Sequence, residues 1–154
     1  MKRNDPLVIS LVALGHATSH FMQLVLPPLF PLMREELAVS YATLGLVAAL
    51  FYAVSALLQP LAGFVVDRYG GRAVLLGGIA LMCAGALVSG LADGIAVLAL
   101  GAALAGVGNS VFHPADFSIL NARVTRERLG YAFSIHSVAG SIGFAAAPVF
   151  SAAV

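Results

Sequence analysis

Four histidines and one aspartate lie inside long apolar stretches of this 154-residue sequence: His16, His20, His113, His136 and Asp116. Imidazole is the side chain that loads and releases a proton in the physiological range, with an unperturbed pKa near ~6.5. A carboxylate within reach of an imidazole can share that proton. Spacing groups these residues. His16, Ser19, His20 and Gln23 form one stripe at helical intervals, and Asn109, His113 and Asp116 form a second at i, i+4 and i+7. The second stripe pairs His113 with Asp116. His136 falls at similar depth on a third stretch, although taken by itself it reads as a polar bridge between two helices.

A metal is the competing chemistry. His16-x-x-x-His20 puts two imidazoles on one helical face, and His113 or Asp116 would complete a site. The hydrolytic version needs a glutamate within H-E-x-x-H as general base. The segment here is His16-Ala17-Thr18-Ser19-His20, which has no carboxylate. No phosphate-cradling glycine loop, nucleophile elbow or cysteine pair occurs either. Cys83 stands alone in an apolar run and reads as a packing residue. The residues are therefore assigned to protons or a polar substrate, with no metal, no cofactor and no enzymatic activity expected.

The elements that must carry these residues are membrane helices. Hydrophobic residues make up 60% of the chain and charged residues 10%, more apolar surface than a soluble core of this size can cover. The net charge of +1 gives no reason to expect a nucleic-acid partner. Five spans are read, at about 7–33, 41–69, 72–92, 95–122 and 129–154, each near the roughly 20 residues that cross ~30 Å of hydrocarbon. The first is too long for a signal peptide and four spans follow it. Pro27, Pro28 and Pro31 should bend or end the first span, with Arg34-Glu35-Glu36 as the following loop. Ser40 should cap the second, Pro60 should kink it, and Pro114 should interrupt the fourth. A charge at the bilayer centre costs about 2.5–3.5 kcal/mol on insertion scales. The two polar stripes and His136 should therefore share one cavity.

With the N-terminus inside, Lys2, Arg3, Arg68, Arg72, Arg123, Arg126 and Arg128 are cytoplasmic and only Arg34 is outside. This predicts a multi-pass protein of the inner (plasma) membrane with a cytoplasmic N-terminus. The turn between the second and third spans is then cytoplasmic. It reads Gly63-x-x-x-Asp67-Arg68-x-Gly70-Gly71-Arg72. Gly70-Gly71 permits a tight reversal. Asp67 ends its helix where the dipole disfavours a carboxylate, so a partner is expected: Arg68, Arg72 or another helix N-terminus.

That turn, in that position, resembles the signature loop of the major facilitator superfamily. Gly15-His16, His20 and Gly108-Asn109-Ser110-Val111-Phe112-His113-Pro114 resemble its fosmidomycin-resistance branch of efflux proteins. The resemblance implies an all-α membrane fold in which the five spans are helices one to five of twelve, an incomplete N-terminal half. It implies a proton-coupled secondary transporter working by alternating access. The expected activity is export of a small drug-like or organic-anion compound, with uptake symport of a small organic anion as the alternative. A metal-binding or non-transporting membrane protein is the reading from another class. Asp67 would meet a helix of the second half, with Gly63, Arg68, Gly70 and Arg72 building the gating loop. That half, or a second chain, would be the missing partner, alongside lipid and the small-molecule substrate. Gly143-Phe144-Ala145-Ala146-Ala147-Pro148 resembles the fifth-helix antiporter motif, with Ala147 where glycine is usual. The arginine that many drug–proton antiporters carry on the fourth helix would fall near Ala102 and is absent. Coupling would then rest on His113 and Asp116.

Overall fold

The computed structural model describes residues 4–153, so Lys2 and Arg3 of the basic lead and the terminal Val154 lie outside it. The described chain is helical. Helix α1 (Asp5–Leu24) is followed by a 3-10 turn (Pro27–Leu29) and a short α2 (Phe30–Glu36). Then come α3 (Tyr41–Tyr69), α4 (Gly71–Gly90), α5 (Ile95–Ser110), α6 (Phe112–Arg123) and, after a 3-10 turn at Arg126–Arg128, α7 (Leu129–Ser151). By length and hydropathy these make five membrane-crossing segments: Asp5–Glu36, Tyr41–Tyr69, Gly71–Gly90, Ile95–Arg123 and Arg126–Ser151.

The boundaries follow local chemistry. Pro27, Pro28 and Pro31 break the first segment rather than end it: the chain turns through a 3-10 segment and resumes as α2. Arg34-Glu35-Glu36 is consequently not a loop. These residues close α2, and the chain reverses at Ala38, whose φ of 52° is left-handed. The Ser40 hydroxyl caps α3 by accepting the Thr43 N–H at 3.1 Å. Helix α3 continues through Pro60 without interruption. The fourth segment breaks at Val111, three residues before Pro114. A proline ring displaces the carbonyl one turn back, here Ser110, so α5 stops there. The new helix α6 takes Pro114 in its first turn, where no N–H is needed.

Glycines set the helix crossings. A Cβ on Gly108 would lie 2.6 Å from the Gly78 carbonyl, and one on Gly85 2.7 Å from the Ala105 amide nitrogen, so α4 and α5 pack backbone to backbone. Gly106 lies as closely against the Phe51 carbonyl of α3, at 2.7 Å. Gly143 of α7 rests directly on the Ala17 carbonyl of α1. Two apolar clusters lock these pairs together. Val66, Leu75, Met82, Phe112 and Ala115 join α3, α4 and α6. Ile9, Val12, Leu120, Val124 and Ala132 join α1, α6 and α7. Helices α1, α6 and α7 meet beside the break in the fourth segment, and the polar residues converge there.

On the N-terminal side, the Asp5 carboxylate accepts the Thr125 hydroxyl at 2.7 Å and the Thr125 N–H at 3.3 Å. This ties the start of α1 to the connection before α7. The two glycines of the α3–α4 reversal have different reasons. Gly70 adopts φ 83°, which favours glycine, and closes α3 by donating its N–H to Val66. A Cβ on Gly71 would lie 2.9 Å from the Ala115 carbonyl, too close for a side chain.

Candidate functional site

His16 from α1, Asp116 from α6 and His136 from α7 are buried together, and Asp116 is fully so. His136 Nε2 lies 3.0 Å from Asp116 Oδ2, a hydrogen bond. His16 Nδ1 lies 3.6 Å from the same oxygen. The two imidazoles stack, with ring centroids 3.6 Å apart and planes 21° from parallel. His20 and His113 complete a four-imidazole cluster, with ring centroids 4.3 Å and 5.1 Å from that of His16.

Helical spacing pairs Asp116 with His113. The structure corrects this: Asp116 is bonded to His136 and approached by His16. Three residues apart on one helix, His113 and Asp116 diverge by about 60° around its axis. The His113 ring lies near those of His16 and His136, with centroids 5.1 Å and 6.1 Å away, and also borders an open groove with Ala56, Gln59, Pro60, Pro114 and Phe117. His136 does bridge two helices, and its partner across that bridge is the Asp116 carboxylate of α6. The satisfaction of the cluster is incomplete. Among the described residues, Nδ1 of His16, His20 and His113 and Oδ1 of Asp116 are buried without a hydrogen-bond partner. Native interiors leave few such groups, and those they leave tend to have a use.

Asn109 and Gln23 behave differently. Asn109 Oδ1 accepts from the Ser19 hydroxyl at 2.7 Å and from Gln23 Nε2 at 3.3 Å, while its Nδ2 donates to Ser55 Oγ at 2.8 Å. Its amide therefore ties α1, α3 and α5 together. The backbone carbonyl of Gln23 also accepts the Tyr52 hydroxyl at 3.1 Å.

Two contributing residues escape sequence reasoning. Ser55 is buried and closes the Asn109 network from α3. A lone hydroxyl in an apolar run is its only signal. Gly140 is the floor of the histidine cluster: a Cβ there would lie 2.8 Å from His16 Nε2 and 3.1 Å from His20 Cε1. Its place one turn before Gly143 on a small-residue face is the available clue. Of the fifth-helix motif, Gly143 and Ala147 face inward and are buried, whereas Pro148 is exposed.

The signature turn stands apart from this centre. Asp67, Arg68, Gly70 and Arg72 are exposed, and a Cβ on Gly63 would meet nothing within 4 Å. The expected local partner for Asp67 is not there: among the described residues it makes no ion pair with Arg68 or Arg72. Arg68 lies over the Tyr69 ring, 5.8 Å from its centroid. The face of Gly63 and Asp67 is simply uncovered.

Five apolar segments, small-residue helix crossings and a buried polar centre define a multi-pass membrane protein. Residues 12–154 match the Major Facilitator Superfamily, and the chain belongs to that family. It is 29% identical over 147 residues to the fosmidomycin resistance protein of Escherichia coli (strain K12). It is 25% identical over 147 residues to the uncharacterized MFS-type transporter YfnC of Bacillus subtilis (strain 168). Each alignment covers 96% of this chain and 36% of the relative, so the chain spans about a third of the length of these proteins.

Proposed function

We propose that this chain belongs to a proton-coupled exporter that moves a small drug-like or organic-anion compound out of the cell in exchange for protons, by alternating access. It is read as a transporter and not an enzyme. The observation that carries the proposal is Asp116. A fully buried carboxylate within a membrane-crossing segment is expensive, and groups kept there mark ion or substrate pathways. Its imidazole partners supply the other half of a proton relay. His113, at the edge of the open groove, is the entry; His16 links it to the Asp116–His136 pair. The name of the Escherichia coli relative, a fosmidomycin resistance protein, supports efflux as the direction.

In this reading the protein lies in the inner (plasma) membrane, with its N-terminus, the Gly63–Arg72 turn and residues 123–128 cytoplasmic. The basic residues of these segments support that orientation. The uncovered face of Gly63 and Asp67 docks on further helices, from the same transporter or a second chain. That contact opens and closes as the substrate site changes sides.

The test is proton movement in proteoliposomes of the complete transporter, with fosmidomycin as the first compound tried. Inward proton flow driven by outward compound flow, lost in His113→Ala, supports the proposal. Compound flux with no accompanying proton movement contradicts the coupling, and co-directional movement contradicts the exchange.

A further inference from the structure

We propose that the histidine cluster is a binding site for one divalent transition-metal ion of the zinc class, held by His16, His113 and His136. One nitrogen from each of these three residues lies within 4.8 Å of the others. Zinc takes imidazole nitrogens at ~2.0–2.1 Å in a tetrahedron, which sets ligand separations of roughly 3.4 Å. Ring rotations that unstack His16 from His136, whose planes lie 21° from parallel with centroids 3.6 Å apart, would close that difference.

Three further observations point to a ligand rather than to packing alone. Nδ1 of His113 is buried with no hydrogen-bond partner, and Nδ1 of His16 has no hydrogen bond, with the Asp116 carboxylate 3.6 Å away. His16 is itself only 3% exposed. Asp116 lies against two of the three rings, at 3.0 Å from His136 and 3.6 Å from His16. Metal-bound imidazoles characteristically direct their other ring N–H to such a carboxylate, which fixes the tautomer and raises ligand basicity. The same carboxylate offsets part of the ion's charge in a medium where an unbalanced charge is costly. The floor of the site is Gly140, whose missing side chain leaves room against His16.

Three nitrogens leave the fourth tetrahedral position to water or an anionic oxygen. The ligand set differs from the one that sequence spacing offers. His16 and His20 are the helical i, i+4 pair, but the structure replaces His20 with His136 from α7. His20 instead packs its ring against Phe144, with centroids 4.2 Å apart. Imidazole ligands select zinc, copper, nickel or iron over magnesium and calcium.

The experiment is calorimetric titration of zinc into the detergent-purified complete protein, with cobalt absorption spectra reporting the coordination geometry. No transport is needed, so the outcome is separate from that of the proton-coupling test; because the ion would occupy nitrogens of the relay, the zinc-bound protein should carry no coupled proton flux. Expected are one ion per chain, tetrahedral cobalt bands, and affinity lowered at least about 100-fold in His113→Ala and in His136→Ala. His20→Ala should keep the ion. Thermal melting without metal confirms that each variant is folded, and His113→Gln and His136→Gln replace any alanine variant that is not. Folded wild-type protein that takes no zinc overturns the proposal. So does binding that survives both His113 and His136 substitutions, or binding that His20→Ala abolishes.

Discussion

Two polar centres share the interior, with Asn109 about one helical turn from His113 and two from Asp116 along the fourth segment, and they are built to opposite specifications. Asn109 accepts two hydrogen bonds and donates one, and its partners come from two other segments of the chain. The histidine cluster gathers more polar atoms yet leaves Nδ1 of His16, His20 and His113 and Oδ1 of Asp116 unanswered. A buried network that is satisfied holds helices in register; one that is partly satisfied holds capacity for something else. In the proposed reading the first centre is structural and the second functional, although both stripes look alike as sequence.

The largest effect is expected from removing the satisfied centre. Asn109→Leu keeps the branched shape and deletes three interhelical hydrogen bonds, leaving Ser19, Gln23 and Ser55 without that partner. A loss of about 2 kcal/mol is expected, read as a lower melting temperature, with transport per folded molecule retained. Transport lost at unchanged stability would move Asn109 to the substrate path.

Gly140 and Gly143 probe the same division from the other side. Gly140→Ala sends a methyl group into His16, and about a tenfold loss of flux is expected, or ~1.4 kcal/mol. Gly143→Ala meets the Ala17 backbone instead, which cannot yield as an imidazole can. Its effect should appear in the melt and the yield of folded protein. Equal behaviour of the two variants would contradict the separation of site from scaffold.

The smallest effect belongs to the tie at the N-terminal side. Thr125→Val removes the 2.7 Å hydroxyl bond to Asp5 and keeps the backbone bond. About 1 kcal/mol of stability should be lost, seen in thermal melts, with no change in flux.

Much of this is legible in the sequence because membrane helices announce themselves by length and hydropathy. The Ser40 cap is legible for a similarly local reason. The break near Pro114 is legible too, but its position at Val111 is not, since a proline acts one turn upstream. Arg34-Glu35-Glu36 looks like a loop because charge suggests a boundary, whereas nothing in those residues opposes a helix. The pairing inside the site is least legible. Helical spacing sees only neighbours on one helix, so it joins His113 to Asp116 and His16 to His20. His136 Nε2 reaches Asp116 across an interhelical contact, and that contact depends on glycines such as Gly140 and Gly143 that let α7 approach α1.

The division of labour between the two centres is decided by Asp116→Asn set beside Asn109→Leu in the complete transporter. Proton-coupled flux in proteoliposomes and thermal melting are measured on the same preparations. Asp116→Asn should melt close to wild type and carry no coupled proton flux, while Asn109→Leu should melt lower and stay coupled. Coupled flux that persists in Asp116→Asn would contradict the assignment of the histidine cluster to proton transfer.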